Sequence, residues 1–387
     1  MEQSIKLNIP FNKRYHAHNE LVYLTEVIKS GHFSSGGVFS KACENFFLHY
    51  FHDSFPYFTN SCTDALEMAA ILIDIKEGDE VILPSYTFVS TANAFLLRGA
   101  KLIFADSCSD HPNIDIESVQ NLISPKTKAI VVVHYAGVPI DFKGLKTICL
   151  ERNIFLIEDA AQALGSSRDE CVAGKIGDIA CFSFHDTKVI SCGEGGLLVL
   201  NRPDLKFKAD LIYEKGTNRR EFQSGGADKY SWKSVGSSFA ASELQAAVLL
   251  AQCDELHDIL SKRRELISFY HQELNSRNWN QIKLKWSLPE KTRDNGTIFF
   301  VVLENLESRN SLLKHFIQNG VQATFHYLCL HQSPFFKENY IGKALKNADY
   351  FEKGLVRLPL YTDLNTDDQK LIIELLKEWD NNQPSQI

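Results

Sequence analysis

Ile154-Phe155-Leu156-Ile157-Glu158-Asp159-Ala160-Ala161-Gln162 is a short apolar, β-rich run that ends on a carboxylate. Its length and composition predict a buried strand with Asp159 at the carboxyl end. Three similar runs precede it: Glu80-Val81-Ile82-Leu83-Pro84, Ala100-Lys101-Leu102-Ile103-Phe104-Ala105 and Ala129-Ile130-Val131-Val132-Val133-His134. Helical patterns separate these runs, among them Thr63 to Leu72 and Phe142 to Arg152. Such alternation, from about residue 57 to 200, predicts an α/β fold with a mostly parallel sheet and helices on both faces. Ligands of such sheets bind beyond the carboxyl ends of the strands. Pro84, Asp106, Tyr135 and Asp159 each follow a strand end, so residues far apart in sequence can meet in one crevice.

Further along, Cys181-Phe182-Ser183-Phe184 predicts another strand, followed by His185-Asp186-Thr187-Lys188 and the small-residue turn Cys192-Gly193-Glu194-Gly195-Gly196. Gly195 to Leu200 then returns to strand. Residues 205–236 break the pattern with a polar segment bearing Gly, Lys and Arg, and one long helix is expected from Ala240 to about Asn275. A strand-like run, Thr297 to Leu303, and a final helix near Asp367 to Trp379 follow. The expected division is a large domain with the N-terminal segment over 1–250 and a smaller C-terminal α/β domain over 251–387.

The 387 residues are 44% hydrophobic and 23% charged, an ordinary globular balance with material for a large core. A formal net charge of −7 argues against a general nucleic-acid binder, so any anionic ligand has to meet a local basic patch. The nine cysteines are scattered, without the Cys-x-x-Cys spacing of a zinc site, and read as reduced thiols. Met1-Glu2-Gln3-Ser4-Ile5-Lys6 lacks a basic region followed by an apolar one, and no stretch is long enough to span a bilayer. The expected address is cytoplasmic, with no membrane partner.

Lys188 and Asp159 carry the chemistry. An amine able to form a Schiff base and a carboxylate at a strand end are what a pyridoxal 5'-phosphate enzyme needs: the lysine holds the cofactor aldehyde, and the carboxylate keeps the pyridine nitrogen protonated. A lone lysine is ordinarily a surface residue; this one is delivered by a strand and followed by a Gly-rich turn that leaves room for a ligand. Asn60-Ser61-Cys62-Thr63-Asp64-Ala65-Leu66 follows a short strand and opens a helix, where backbone amides and the Thr63 hydroxyl can meet a phosphate. The same residues also read as a plain Ser/Thr cap. Ser183 is a second phosphate candidate. Phe88, within Pro84 to Asn93, could stack on the pyridine ring or belong to the core. Gln162, expected at the start of a helix, could bond the ring hydroxyl oxygen or be solvated. The run ending at Asp159 also resembles the metal-binding strand of a P-loop ATPase, but the chain has no Gly-x-x-x-x-Gly-Lys-Ser/Thr.

Asn-Ser-Cys-Thr-Asp-Ala-Leu, Pro-Ser-Tyr-Thr-Phe, Glu-Asp-Ala-Ala-Gln, Ser-Phe-His-Asp-Thr-Lys and Gly-Glu-Gly-Gly, in this order, resemble the sugar aminotransferases of the DegT/DnrJ/EryC1/StrS family over nearly the whole chain. Pro84 to Asn93, Glu214 to Arg219 and Gly236-Ser237-Ser238 look most like dTDP-4-amino-4,6-dideoxygalactose transaminases of enterobacterial common antigen synthesis. The resemblance implies a fold type I aminotransferase, a homodimer with its site at the subunit interface. It assigns Lys188 to covalent cofactor attachment, Asp159 to the pyridine nitrogen, Gln162 to the ring hydroxyl, Phe88 to stacking, and Cys62, Thr63 and Ser183 to the phosphate. Many relatives have Gly at Cys62, Pro at Asp186 and an Asn-x-Arg where this chain has Ser238-Phe239-Ala240, which makes Ser238 the substitute phosphate contact from the partner subunit. Tyr327 and His331 match a Tyr-x-Pro-Leu-His region near the substrate pocket, with Cys329 in place of the proline.

The implied reaction takes the amino group of L-glutamate, releasing 2-oxoglutarate, and gives it to the 4-keto group of dTDP-4-dehydro-6-deoxy-D-glucose, with surface polysaccharide as the destination. The alternatives are a 3-keto sugar, the gluco epimer, or a regulatory protein on the same fold. A related dehydratase chemistry replaces the lysine by histidine, and Lys188 argues against it. The segment from Lys215 to Lys233 carries Lys215, Arg219, Arg220, Lys229 and Lys233 without core periodicity. It is either a solvated loop or the site where one or more of these cations meet the nucleotide diphosphate.

Overall fold

The computed structural model describes residues 8–383, so the Met1–Lys6 segment and the last residues of the 251–387 range lie outside the described residues. The strands are β1 (Phe55–Thr59), β2 (Glu80–Pro84), β3 (Lys101–Ala105), β4 (Thr127–Val133), β5 (Phe155–Asp159), β6 (Ser167–Arg168), β7 (Cys171–Val172), β8 (Ile179–Ser183), β9 (Gly196–Leu200), β10 (Ile282–Lys285), β11 (Thr292–Arg293), β12 (Phe299–Leu303) and β13 (Leu355–Leu358). Seven of them form the main sheet in the order β1-β9-β8-β5-β4-β2-β3. Only β9 runs antiparallel to the rest of the sheet. The α/β architecture read from the sequence is therefore present.

Period-two alternation divides each central strand between two cores. Val81 and Leu83, Ala129 and Val131, and Ile157 face one core. Ile82, Ile130, Val132 and Leu156 face the other. With both faces covered by helices, these strands are apolar throughout. The chain runs from β2 outward to β3, then returns past β2 to β4, so the direction of winding reverses between β2 and β4. At such a switch point the connections leave in opposite directions and open a crevice beyond the strand ends.

A second, antiparallel sheet, β10-β12-β13, packs with the helices Leu306–Gln318, Lys346–Gly354 and Thr366–Asn381. Its residues Phe299 to Leu303 share one continuous core with the main sheet. The N-terminal segment crosses between the two: Ile9 bridges Val321, while the Asn12 amide donates to the carbonyl of Asp186.

Two sequence expectations change. The helix expected over 240–275 is two helices, Glu243–Asp254 and Leu256–Asn275. Ser242 and Gln245 cap the first in a reciprocal capping box. Glu255 breaks the run, and its carboxylate accepts hydrogen bonds from the Tyr15 hydroxyl at 2.6 Å and the His18 amide at 2.7 Å. The supposed polar break at 205–236 contains a core helix, Lys206–Tyr213, which buries Ala209, Ile212 and Tyr213.

Candidate active site

A cavity of about 660 Å³ opens at the carboxyl ends of β1, β2, β4, β5 and β8. Lys188, Asp159, Cys62, Thr63, Phe88, Gln162, Ser183 and Tyr327 all line it, although they come from stretches distant in sequence. The strand ends account for this convergence. Lys188 follows β8 on a turn in which its amide donates to the His185 carbonyl at 2.9 Å. Its amine has no hydrogen bond or ion pair among the described residues. The protein packed around that amine lowers its pKa below the ordinary lysine value, against the weaker pull of Cys62 and Asp159. A lysine held this way is more readily a neutral nucleophile.

Asp159 ends β5 and is buried. Its Oδ2 accepts from the Thr91 hydroxyl at 2.6 Å and its Oδ1 from the Ala161 amide at 3.2 Å. Burial raises its pKa despite these bonds and despite Lys188. Desolvation outweighs the local donors, and a cationic ligand group facing the carboxylate would reverse that balance. Thr91 is itself held at 2.9 Å by Thr87, so the carboxylate is oriented from behind by two hydroxyls.

Gln162 follows Asp159 in a turn, not in the expected helix. Gly165, at φ +86°, turns the chain here, and a Cβ on it would press into Leu260. Gln162 is buried rather than solvated: its oxygen accepts from the Ala136 amide at 2.7 Å, and its amide donates to the Tyr327 hydroxyl at 2.9 Å. Phe88 is 55% exposed, so it is a wall residue and not core.

At the far end, Ser61 caps the helix Cys62–Leu72 by accepting from the Asp64 amide at 3.0 Å. Cys62 and Thr63, the first two residues of that helix, line the cavity, and no hydrogen bond from their amides is present among the described residues. The cap and the anion cradle therefore coexist, one on Ser61 and the other on the residues after it. Thr63 donates its hydroxyl to Ser90 at 2.8 Å. Gly196 lets β9 approach: a Cβ there would sit 2.2 Å from the Ser61 carbonyl carbon. These residues fit pyridoxal phosphate. An unpartnered amine, a buried carboxylate without an ion pair, helix N-terminal amides beside hydroxyls, and an exposed aromatic wall are the donors and surfaces that the cofactor's aldehyde, ring nitrogen, phosphate and ring face require.

The sequence matches the DegT/DnrJ/EryC1/StrS aminotransferase family over residues 15–377. The chain belongs to that family. It is a pyridoxal phosphate-dependent sugar aminotransferase. The chain is similar to the uncharacterized protein MJ1066 of Methanocaldococcus jannaschii, at 27% identity over 87% of this chain and 88% of that protein. Among solved structures it is similar to DesV of S. venezuelae, at 27% identity, TM-score 0.87 and coverage of 97% and 99% of the two chains. The aminotransferase TlmJ of Streptoalloteichus hindustanus is similar at 26% identity, TM-score 0.86 and coverage of 96% and 98%.

Other residues singled out in the sequence lie away from the cavity of the same aminotransferase chain. Ser238 is exposed and its carbonyl accepts from Asn60. Lys215 is exposed, and Arg219 lies 3.7 Å from Glu214. Arg220 is engaged by Glu44 at 2.9 Å, Asp210 at 3.4 Å and Glu214 at 3.7 Å, over the rings of Tyr213 and Tyr57. His331 is buried behind the cavity, bonded to the Ser85 hydroxyl at 2.7 Å and 3.5 Å from Asp349. It ties the loop after β2 to the helix that holds Asp349. Phe11, His326 and Thr91 shape the site without having been singled out. Thr91 had a signal, a hydroxyl in the first turn of the helix that follows β2. Phe11 and His326 had none, because only tertiary pairing brings them in.

Among the described residues, no helix is long and apolar enough to cross a membrane.

Proposed function

We propose that this aminotransferase transfers the amino group of L-glutamate to the 4-keto carbon of dTDP-4-dehydro-6-deoxy-D-glucose, giving dTDP-4-amino-4,6-dideoxy-D-galactose for surface polysaccharide such as enterobacterial common antigen or lipopolysaccharide. The observation that carries the reading is the pairing of an unpartnered Lys188 amine with buried Asp159 in one cavity. The choice of sugar is supported by the family-like runs Pro84 to Asn93, Glu214 to Arg219 and Gly236 to Ser238. The same proposal includes a cytoplasmic homodimer, a division near residue 250 into large and small domains, a partner-subunit phosphate contact from Ser238, and a nucleotide-diphosphate contact from Lys215 or Arg219.

Bound in the cavity, pyridoxal phosphate supplies an aldehyde and an electron-accepting ring that spreads the charge left when a carbon–hydrogen bond breaks. The chain's residues supply the rest. Asp159, fixed by Thr91 and Ala161, presents a negative charge to the ring nitrogen. Gln162, bonded to Tyr327, would hold the ring edge, and Phe88 would cover a ring face. The Cys62 and Thr63 amides with Ser183 would hold the phosphate. Lys188, with its lowered proton affinity, takes a proton from the amino-acid carbon and returns one to the sugar carbon. The face from which it does so decides between galacto and gluco products.

The test incubates the purified protein with L-glutamate and a panel of nucleotide keto-sugars, measures 2-oxoglutarate, and determines product stereochemistry by NMR. The reading expects an axial C4 amine from the dTDP-4-keto sugar. Preferred amination at C3, or an equatorial amine, replaces the sugar assignment. A protein without a cofactor absorbance band that depends on Lys188 overturns the enzyme reading.

A further inference from the structure

Cys329 and His331 sit in the loop after Tyr327 and are buried, at 1% and 5% exposure. Asp349 and Glu352 lie three residues apart on the helix Lys346–Gly354, so one face of that helix presents two carboxylates to the loop. One donor atom each from Cys329, His331 and Asp349 fall within 4.8 Å of one another. Nε2 of His331 is 3.5 Å from Oδ1 of Asp349. Glu352 joins them: its Oε2 accepts from the Cys329 amide at 2.7 Å, and its charge acts on the Cys329 thiol.

The charge in this cluster is one-sided. Glu352 and Asp349 act on the thiol, and Asp349, Glu352 and Asp106 act on the imidazole. The Asp106 carboxylate is taken up by the amides of Asn347 and Ala348, at 3.3 and 2.9 Å. Neither Asp349 nor Glu352 forms an ion pair with a lysine or arginine among the described residues. Arg309, a cation that feels Glu352, turns its Nη1 to the Glu352 carbonyl and stacks over the Phe325 ring. Oδ2 of Asp349 and Oε1 of Glu352 have no hydrogen bond among the described residues. Two carboxylates gathered against a buried thiol and imidazole are destabilising unless a cation joins them.

The donor set says which cation. A thiol, an imidazole nitrogen and carboxylate oxygens suit zinc, whereas magnesium and calcium take oxygen ligands. Zinc bonds of about 2.0 Å to nitrogen and oxygen and about 2.3 Å to sulfur set tetrahedral ligands about 3.3–3.6 Å apart. His331 and Asp349 already stand at that separation. The ring is aimed from behind, because Nδ1 of His331 lies 2.7 Å from the buried Ser85 hydroxyl and leaves Nε2 toward Asp349. Asp349, with its side chain 24% exposed, gives an ion its way in from solvent. The Cys-x-x-Cys spacing of a zinc site is missing because the ligands come from a loop and a separate helix.

We propose that Cys329, His331 and Asp349, with Glu352 as the fourth ligand, form a structural zinc site that pins the loop after Tyr327 to the helix Lys346–Gly354. Zinc takes the thiolate, so the thiol proton leaves to solvent on binding. The site adds no group to the cavity. It steadies one wall, since Tyr327 stands two residues before Cys329.

The test uses holoenzyme of the wild type, Cys329→Ser and Asp349→Asn, each stripped with EDTA, checked by circular dichroism and titrated with zinc chloride by calorimetry. Wild type should take up one zinc ion per chain and unfold at a higher temperature as zinc is added. Each variant should bind at least about 100-fold more weakly, more than the loss of a partner behind a ligand costs. Cobalt chloride gives a reading that needs no folded variant. Wild type should show a thiolate-to-metal charge-transfer band and strong tetrahedral ligand-field bands, taken as a difference from the zinc form so that cofactor absorbance cancels. Absence of zinc uptake by wild type, undiminished uptake in both variants, or a cobalt spectrum without the thiolate band overturns the proposal and leaves the four groups as a hydrogen-bonded cluster. None of these readings uses transamination, so the zinc site stands or falls apart from the aminotransferase reading.

Discussion

Arg220 and Arg357 both stack on aromatic rings, and burial works against the charge of each. At Arg220 the carboxylates of Glu44 and Asp210 outweigh burial and hold the pKa above the ordinary arginine value. At Arg357 the neighbours are tyrosines, and the pKa falls below it. A cation whose counter-charge is built into the protein is scaffold, because nothing is left over for a ligand. A cation without one is completed by what binds. Lys188 belongs to the second kind and Arg220 to the first, although the sequence offered Arg220 among the candidates for the nucleotide diphosphate.

The contrast breaks first at Lys188. Lys188→Ala should abolish steady-state transamination and the cofactor absorbance band, and near wild-type turnover in that variant would remove the lysine from the mechanism. Asp159→Ala should follow with a loss of several orders of magnitude in rate, or several kcal/mol of transition-state stabilisation, read in the glutamate half-reaction by stopped flow. Normal activity with cofactor bound would contradict its role. Arg220→Ala should cost about 1–3 kcal/mol in urea unfolding, because it strands the Glu44 carboxylate on a half-buried surface and leaves Asp210 and Glu214 with only Lys206 and Arg219. If Arg220 is scaffold, cofactor-loaded folded variant keeps its nucleotide-sugar KM. A large rise in that KM without a stability change would move Arg220 to the ligand-binding group.

The smallest expected effect is on pH dependence. With the Lys188 pKa lowered in the folded apoprotein, there is a window below the unfolded lysine value in which the unfolded chain holds a proton that the folded chain does not. Stability of the apoprotein therefore rises with pH across that window. Urea midpoints taken from about pH 7 to about pH 10 should show this rise, and Lys188→Ala should flatten it. Asp159 acts with the opposite sign, since its raised pKa makes stability fall as pH rises through the acidic range. An unchanged slope in the lysine variant would argue that the amine is not buried in solution.

What could be read from the sequence follows the range of the interactions involved. The sheet was legible because each strand carries its own apolar run. Lys188, Asp159, Gln162, Phe88, Cys62, Thr63, Ser183 and Tyr327 were legible as candidates because strand ends must converge and each sits in a local motif. The Glu255 break was hidden, because the helical pattern runs through it and its cause is Tyr15 and His18, far away in sequence. The Lys206–Tyr213 helix was masked by Lys206, Lys208 and Asp210, which dilute a core face of only four buried residues. Arg357 left no mark, since its meaning depends on β13 pairing with Phe300 and Thr324 and on what is missing around it.

The N-terminal segment that bridges Val321 also touches the loop carrying Lys188 through Asn12 and covers Arg357 with Phe11. It therefore works as a caliper. One short run of chain is held at both jaws, so the gap between the amine and the guanidinium is gauged by its contour and not only by the two sheets. Adding or removing a residue between Ile9 and Asn12 would shift the loop carrying Lys188 against the second sheet, and with it the Phe11 wall of the cavity.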